Sequence, residues 1–231
     1  MLRDALDTIM QQNPFARLGD SVYQVLYEAI VGLTLVPGTS LSETTLAKKL
    51  NVSRTPIRNA FLRLAAEGLL ENDHGQAFTV ASFKREECQQ LMEVRIPIET
   101  QAAYWAAERI SATQLAELEK HMNGLAAAYA AWNVSEMVVA DHAFHQTIIE
   151  SACNPFITEL YRQITPRIVH YRNFLYNKTP KDQLLLVMGA SVRIHRSIYN
   201  AVKLGFAAEA RECMTRDIAG MGSIIGLWNE P

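Results

Sequence analysis

Apolar side chains recur at Val22, Val25, Leu26, Ala29, Ile30 and Leu33, the i, i+3, i+4, i+7 rhythm that buries one face of a helix. Asp20 or Ser21 stands where such a helix is capped, and Pro37-Gly38 closes the connection after it. A shorter helix is predicted from about Glu43 to Leu50 behind Ser42, with Asn51 where a left-handed residue often ends a helix. A third begins behind Ser53, carries Ile57, Phe61, Leu64 and Ala65 on one side and stops at Gly68. Only Asn51-Val52-Ser53 separates the last two, the spacing of a helix-turn-helix.

The rhythm then changes. After Leu69-Leu70, the turn formers Asn72-Asp73-His74-Gly75 precede an alternation of Phe78 and Val80 against Ala77 and Thr79, which reads as a small β-hairpin. Helix-turn-helix plus hairpin predicts a winged module over residues 1–81. From Ser82 onward no strand signal remains. Long amphipathic stretches are punctuated at Ser111, Asn133, Asn154-Pro155, Pro180 and Gly205, predicting about six helices over residues 82–231. The expected fold class is mainly α, a winged helix-turn-helix followed by an all-α bundle of six or seven helices.

Composition narrows the class. With 49% hydrophobic and 20% charged residues and a net charge of −2, the 231-residue chain folds rather than remaining disordered. Cys88, Cys153 and Cys213 are scattered and form no CxxC pair, which argues against a disulfide framework or a thiolate zinc site and suits a reducing cytoplasm. Asp4 and Asp7 are out of place in a signal peptide, and no apolar run approaches the roughly 20 residues needed to cross a bilayer. A cytoplasmic protein with no membrane partner is expected.

Charge is even overall but not locally. Between Thr44 and Ala66 lie Lys48, Lys49, Arg54, Arg58 and Arg63 and no acidic residue. Such a run is either a solvated helix face or an electrostatic footprint for nucleic acid. The coincidence with helix-turn-helix spacing and a wing favours the second. The third helix opens Ser53-Arg54-Thr55-Pro56-Ile57-Arg58. A helix start presents free N–H groups to a phosphate, Arg54 and Arg58 share a face one turn apart, and arginine can take guanine O6 and N7 together. Lys48 and Lys49 suit phosphates. At the wing tip, His74 and Gly75 are either minor-groove contacts or plain turn residues.

Leu41-Ser42-Glu43, Leu46-Ala47, Val52 to Arg58 and Gly68-Leu69-Leu70 together resemble the winged domain of GntR-type bacterial transcription regulators. Leu91 to Arg95, Ile98-Glu99, Ala102-Ala103, Asp141-x-x-Phe144-His145 and Asn154-Pro155 are similar to the helical FCD effector domain of the FadR subfamily. One departure falls in the winged domain, where Thr44 stands in the place of an arginine that contacts DNA in some relatives. The resemblance implies double-stranded operator DNA as partner, a homodimer on a short palindrome and a small carboxylate effector.

Asp141 and His145, four apart on a helix, form either a surface pair or two ligands of one metal. The resemblance implies a divalent ion held by Asp-x-x-x-His and two later histidines. His195 matches the first of these, and Asp217 stands where the second is usual. A two-Asp, two-His set admits Zn, Mn or Ni. His142 is expected beside this set or in solvent, since its side chain points about 100° away around the helix. Arg95 is expected either to clamp the effector carboxylate or to pair with Glu99 at i+4, and Arg167 is a second effector candidate. Effector binding is expected to tilt the helices carrying the ligands and, through Ser82-Phe83, to change the spacing of two recognition helices. A metal-dependent hydrolase with a nucleic-acid tether is the competing reading. It lacks an HExxH-type glutamate to serve as general base, so no enzymatic activity is expected.

Overall fold

The computed structural model describes residues 1–73 and 77–227. Its first compact unit comprises Met1–Phe83 together with Pro166–Tyr171. The second comprises Lys84–Thr165 and resumes at Arg172.

The first unit opens with α1 (Leu2–Gln12) and α2 (Leu18–Val31). Helix α2 starts about a turn before the expected caps. Arg17 takes the N-cap position without a side-chain hydrogen bond, and Ser21 is buried inside the helix. Strand β1 (Ser40–Leu41) leads into α3 (Glu43–Leu50), whose start is held by the Ser42 hydroxyl accepting from the Thr45 amide at 3.4 Å. Asn51 ends α3 in the left-handed conformation, φ 53°. Helix α4 (Arg54–Ala66) follows, and Gly68, φ 72°, reverses the chain after it. At Gly68 a Cβ would meet the Arg167 guanidinium, so the position demands both a left-handed backbone and no side chain.

Strands β2 (Leu70–Asp73) and β3 (Ala77–Val80) form the wing, antiparallel with Leu70 opposite Val80 and Asn72 opposite Phe78. Strand β1 completes the sheet in the order β1-β3-β2, pairing Leu41 with Phe78. Val25, Leu26, Ile30, Leu50, Ile57, Phe61, Leu64 and Leu69 are closed off from solvent beneath these elements. The Phe61 and Phe78 rings lie 4.9 Å apart, tying α4 to the sheet. Helix α1 packs against α2 and α3, burying Leu2 and Leu6, and Arg3 donates to the Leu50 carbonyl at the end of α3.

Six helices follow: α5 (Arg85–Arg109), α6 (Ala112–Ala130), α7 (Val134–Ser151), α8 (Pro155–Lys178), α9 (Lys181–Lys203) and α10 (Ala207–Leu227). The expected punctuation marks their limits. Ser111 and Asn133 cap α6 and α7 through side-chain oxygens, and Asn154 accepts from the Phe156 and Ile157 amides ahead of α8. Pro180 precedes α9, and Gly205, φ 73°, ends the turn before α10. Helix α10 packs on α5 and α9, while α7 packs on α5 and α6. Phe144, Ile148, Met188, Ile198, Ile218 and Ile224 are buried in this second unit. No described helix is long and apolar enough to cross a membrane.

Candidate functional site

In the winged unit the basic run divides by role. Lys48, Lys49, Ser53, Arg54, Thr55 and Arg58 are all exposed. Arg63 instead stacks over the Tyr23 ring at 3.6 Å and pairs with Glu67 at 3.3 Å, while the Tyr23 hydroxyl donates to Glu67 at 2.7 Å. Arg63 therefore braces α4 against α2. Ser53 caps α4 with its backbone extended and no side-chain capping bond, leaving its hydroxyl and the amides of Arg54 and Thr55 available to an anion. Arg54 extends from this start, two-thirds exposed, with Nη2 2.9 Å from Glu43 Oε2. A groove of about 440 Å³ runs along it, lined by Ser42, Thr44, Arg54, Arg58, Asn72 and Phe78. Thr44 thus lies in this groove, where its short side chain brings no cation. His74 and Gly75 lie outside the described residues.

In the second unit, five helices deliver polar side chains into one buried place. Helix α7 contributes Asp141 and His145, α9 contributes His195 and α10 contributes Asp217, all nearly or fully buried. One ligand atom from each of Asp141, His145 and His195 lies within 4.8 Å of the others. His195 Nε2 stands 3.3 Å from Asp141 Oδ1, and His145 Nε2 stands 3.3 Å from Asp217 Oδ2 and 3.8 Å from Asp141 Oδ2. Each opposite ring nitrogen has an oxygen close by. His195 Nδ1 lies 2.9 Å from the Ser191 carbonyl oxygen, and His145 Nδ1 lies 2.7 Å from Glu99 Oε2. A bound ion, which takes an imidazole lone pair, would require the ring protons on Nδ1, with His145 Nε2 facing both aspartates and His195 Nε2 facing Asp141. Both ring nitrogens of His145, His195 Nε2 and Asp141 Oδ2 are buried without a well-directed hydrogen bond. Asp141, His145 and His195 arranged in this way fit a divalent ion, while Asp217, outside that set of three, stands beside both imidazoles with Oδ1 3.2 Å from His195 Nδ1.

The charges compensate closely. Burial works against ionising Asp141, but Arg172 on α8, whose guanidinium contacts Oδ2, and the two imidazoles hold its carboxyl below the usual range. Burial likewise opposes a charged His195, yet Asp217 and Asp141 raise its pKa to about 10. Glu99 is held at about 2 against its burial by Arg95 and His145. A cavity of about 260 Å³ meets this cluster at Asp141 and Asp217, and Tyr176, Val187, Met188, Ile194 and Met221 supply most of its apolar wall.

Of the two arginines expected at the effector, neither lines this cavity. Arg95 is fully buried with Nε 2.5 Å from Glu99 Oε1, which is the i+4 pairing. Arg167 is exposed, belongs to the first compact unit and donates to the Glu67 carbonyl at 3.3 Å. Sequence reasoning missed Arg172, because its partner Asp141 is 31 residues away on another helix and no local spacing marks it. His142, half-buried, is neither free in solvent nor one of the three clustered ligands.

Residues 18–80 match the model of bacterial regulatory proteins of the gntR family, and residues 90–220 match the FCD domain. The chain belongs to the GntR family, with an FCD domain. GntR-family chains of this build are helix-turn-helix transcription regulators. The HTH-type transcriptional repressor RspR of Escherichia coli K12 is 24% identical over 208 residues, 90% of this chain and 89% of that protein. The HTH-type transcriptional regulator YdhC of Bacillus subtilis 168 is 28% identical over 182 residues, 78% of this chain and 79% of that one. The solved structure of E. coli McbR/YncC aligns with a TM-score of 0.79 at 23% identity, covering 92% of this chain and 99% of that one, a likeness of fold.

Proposed function

We propose that this GntR-family regulator binds a short palindromic operator as a homodimer and changes its operator affinity when a small carboxylate enters the helical domain. Asp141, His145, His195 and Asp217 hold one divalent ion in this reading, with Zn, Mn and Ni all suited to the donor set. A bound ion would give the cavity an electrophilic anchor for a carboxylate. The observation that carries the reading is the convergence of two imidazole Nε2 atoms and two carboxylates at the polar end of an otherwise apolar cavity.

Charge supports an anionic effector. Asp141, Asp217 and Glu99 oppose Arg95, Arg172 and a dication, and with neutral imidazoles one positive charge is left for the effector to neutralise. Arg172 is the guanidinium beside Asp141; like Arg95 and Arg167 it does not line the cavity, so its role in this reading is to hold the Asp141 carboxylate. In the winged unit, Arg54 and Arg58 read bases, while Lys48, Lys49, Ser53 and Thr55 grip phosphates. Two-fold pairing doubles the few base contacts that one such module offers.

Elemental analysis of the purified chain after soaking in Zn, Mn and Ni salts tests the metal, with about one equivalent per chain expected. Less than roughly a tenth of an equivalent with every ion would overturn the metal reading. Light scattering with a duplex selected from a random pool tests the assembly, and a single chain on the duplex would exclude the dimer.

A further inference from the structure

Glu99 is the counter-ion of Arg95, but its second oxygen does something that ion pair does not require. Arg95 Nε holds Oε1 at 2.5 Å and Nη2 reaches Oε2 at 3.3 Å, while Oε2 also lies 2.7 Å from His145 Nδ1. All three side chains are fully buried, so water does not compete for these contacts, and the Nδ1–Oε2 approach is close without being a well-directed hydrogen bond. We propose that Glu99, pinned by Arg95, is a positioning residue for the metal centre: it accepts the Nδ1 proton of His145 and so keeps the Nε2 lone pair directed at Asp141 and Asp217. The inference rests on the metal reading above.

His195 Nδ1 has the backbone carbonyl of Ser191 at 2.9 Å as its nearest partner, with Asp217 Oδ1 at 3.2 Å. A carbonyl oxygen only accepts, and no substitution at Ser191 removes it. Orientation by a carboxylate, in contrast, can be reversed. In Glu99→Gln the amide oxygen keeps the shorter Arg95 bond, from Nε at the Oε1 place, and the longer one from Nη2 is given up, because a guanidinium has donors and no acceptor. The amide N–H then faces His145 Nδ1, makes that nitrogen an acceptor and moves the ring proton to Nε2, where the lone pair is needed. In the double variant Arg95→Met/Glu99→Gln the amide is free to turn its oxygen back towards Nδ1.

Zinc affinity of the full chain, measured by competition with a chromogenic chelator, should fall about 10–100-fold in Glu99→Gln. The double variant should regain most of that loss, which a merely structural role for Glu99 would not produce. Spectra of the zinc-loaded wild type with 15N-labelled histidine should place the His145 proton on Nδ1. Wild-type zinc affinity in a folded Glu99→Gln, a double variant that binds no more tightly than the single one, or zinc on His145 Nδ1 would each overturn the proposal. Should Glu99→Gln fail to fold, the double variant decides: tight zinc binding with the proton on Nδ1 supports the role, and equally tight binding with the proton on Nε2 overturns it. A wild-type chain that takes up no zinc overturns the metal reading and this role with it, an outcome distinct from a loaded wild type with an indifferent variant.

Discussion

The two units put charge to work in opposite surroundings. The side chains proposed to meet DNA in the winged unit are exposed, and they come from one stretch, Lys48 to Arg58. The polar side chains of the helical unit are buried and are gathered from Arg95 to Asp217, across five helices. Water stabilises the first set, so each residue there can be lost without harm to the fold. Only partners stabilise the second set, so there function and stability cannot be separated.

Substitutions can break or sharpen that contrast. The largest effect is expected at the buried ion pairs. Arg95→Leu leaves Glu99 in the interior with His145 as its remaining partner, and the loss should be about 3–5 kcal/mol, towards the lower end because that partner remains. Urea unfolding of the full chain measures it, and a loss below about 1 kcal/mol would mean that the interior is far wetter than the burial implies.

Next comes acid sensitivity from a buried histidine grouped with the winged unit. Burial lowers the His170 pKa to about 4, and its ring lies 4.6 Å from that of Phe83. The unfolded chain takes up this proton near pH 6.5 and the folded chain only near 4. The resulting stability is therefore complete above about pH 6.5 and is lost as pH falls towards 4, by about 3 kcal/mol over that window. His170→Phe should flatten this part of the curve of stability against pH. An unchanged slope would show that His170 protonates freely in the folded state.

A third test separates function from fold. Arg54→Ala should cost about 1–3 kcal/mol of operator affinity, the worth of one bidentate base contact. Its unfolding free energy should stay within about 0.5 kcal/mol of wild type. Gel shifts with unchanged specific affinity would remove Arg54 from the reading set. The smallest effect is expected at Lys48→Ala, which should weaken binding alike for all sequences and reduce the salt slope of binding by about one. A change in sequence preference instead would make Lys48 a base reader.

How far the sequence was legible follows the same division. Helix α3 was read to the residue, because Ser42 and Asn51 act on amides and carbonyls a few positions away. Helix α1 was not foreseen: only Leu2 and Leu6 are buried on it, too few to make a periodic pattern. Strand β1 was missed for a related reason, since two residues form a strand only because β3 is there to pair with them. Asp141, His145, His195 and Asp217 came from a resemblance, and their spacing by itself left a surface pair open.

The sequence by itself determined where most helices begin and end, which short stretch is basic and exposed, and that a winged module precedes an all-α domain. These depend on interactions within about one helical turn, and such neighbours are visible in a string of letters. Tertiary structure alone decided that Arg95 faces Glu99 rather than the cavity, that Arg172 meets Asp141, and that Glu99 stands behind His145. Helix α5 already placed Glu99 within reach of Arg95, but which of its neighbours each buried charge takes is set by the packing of whole helices. That choice is a property of the assembled interior, where an unpartnered charge is too costly to keep.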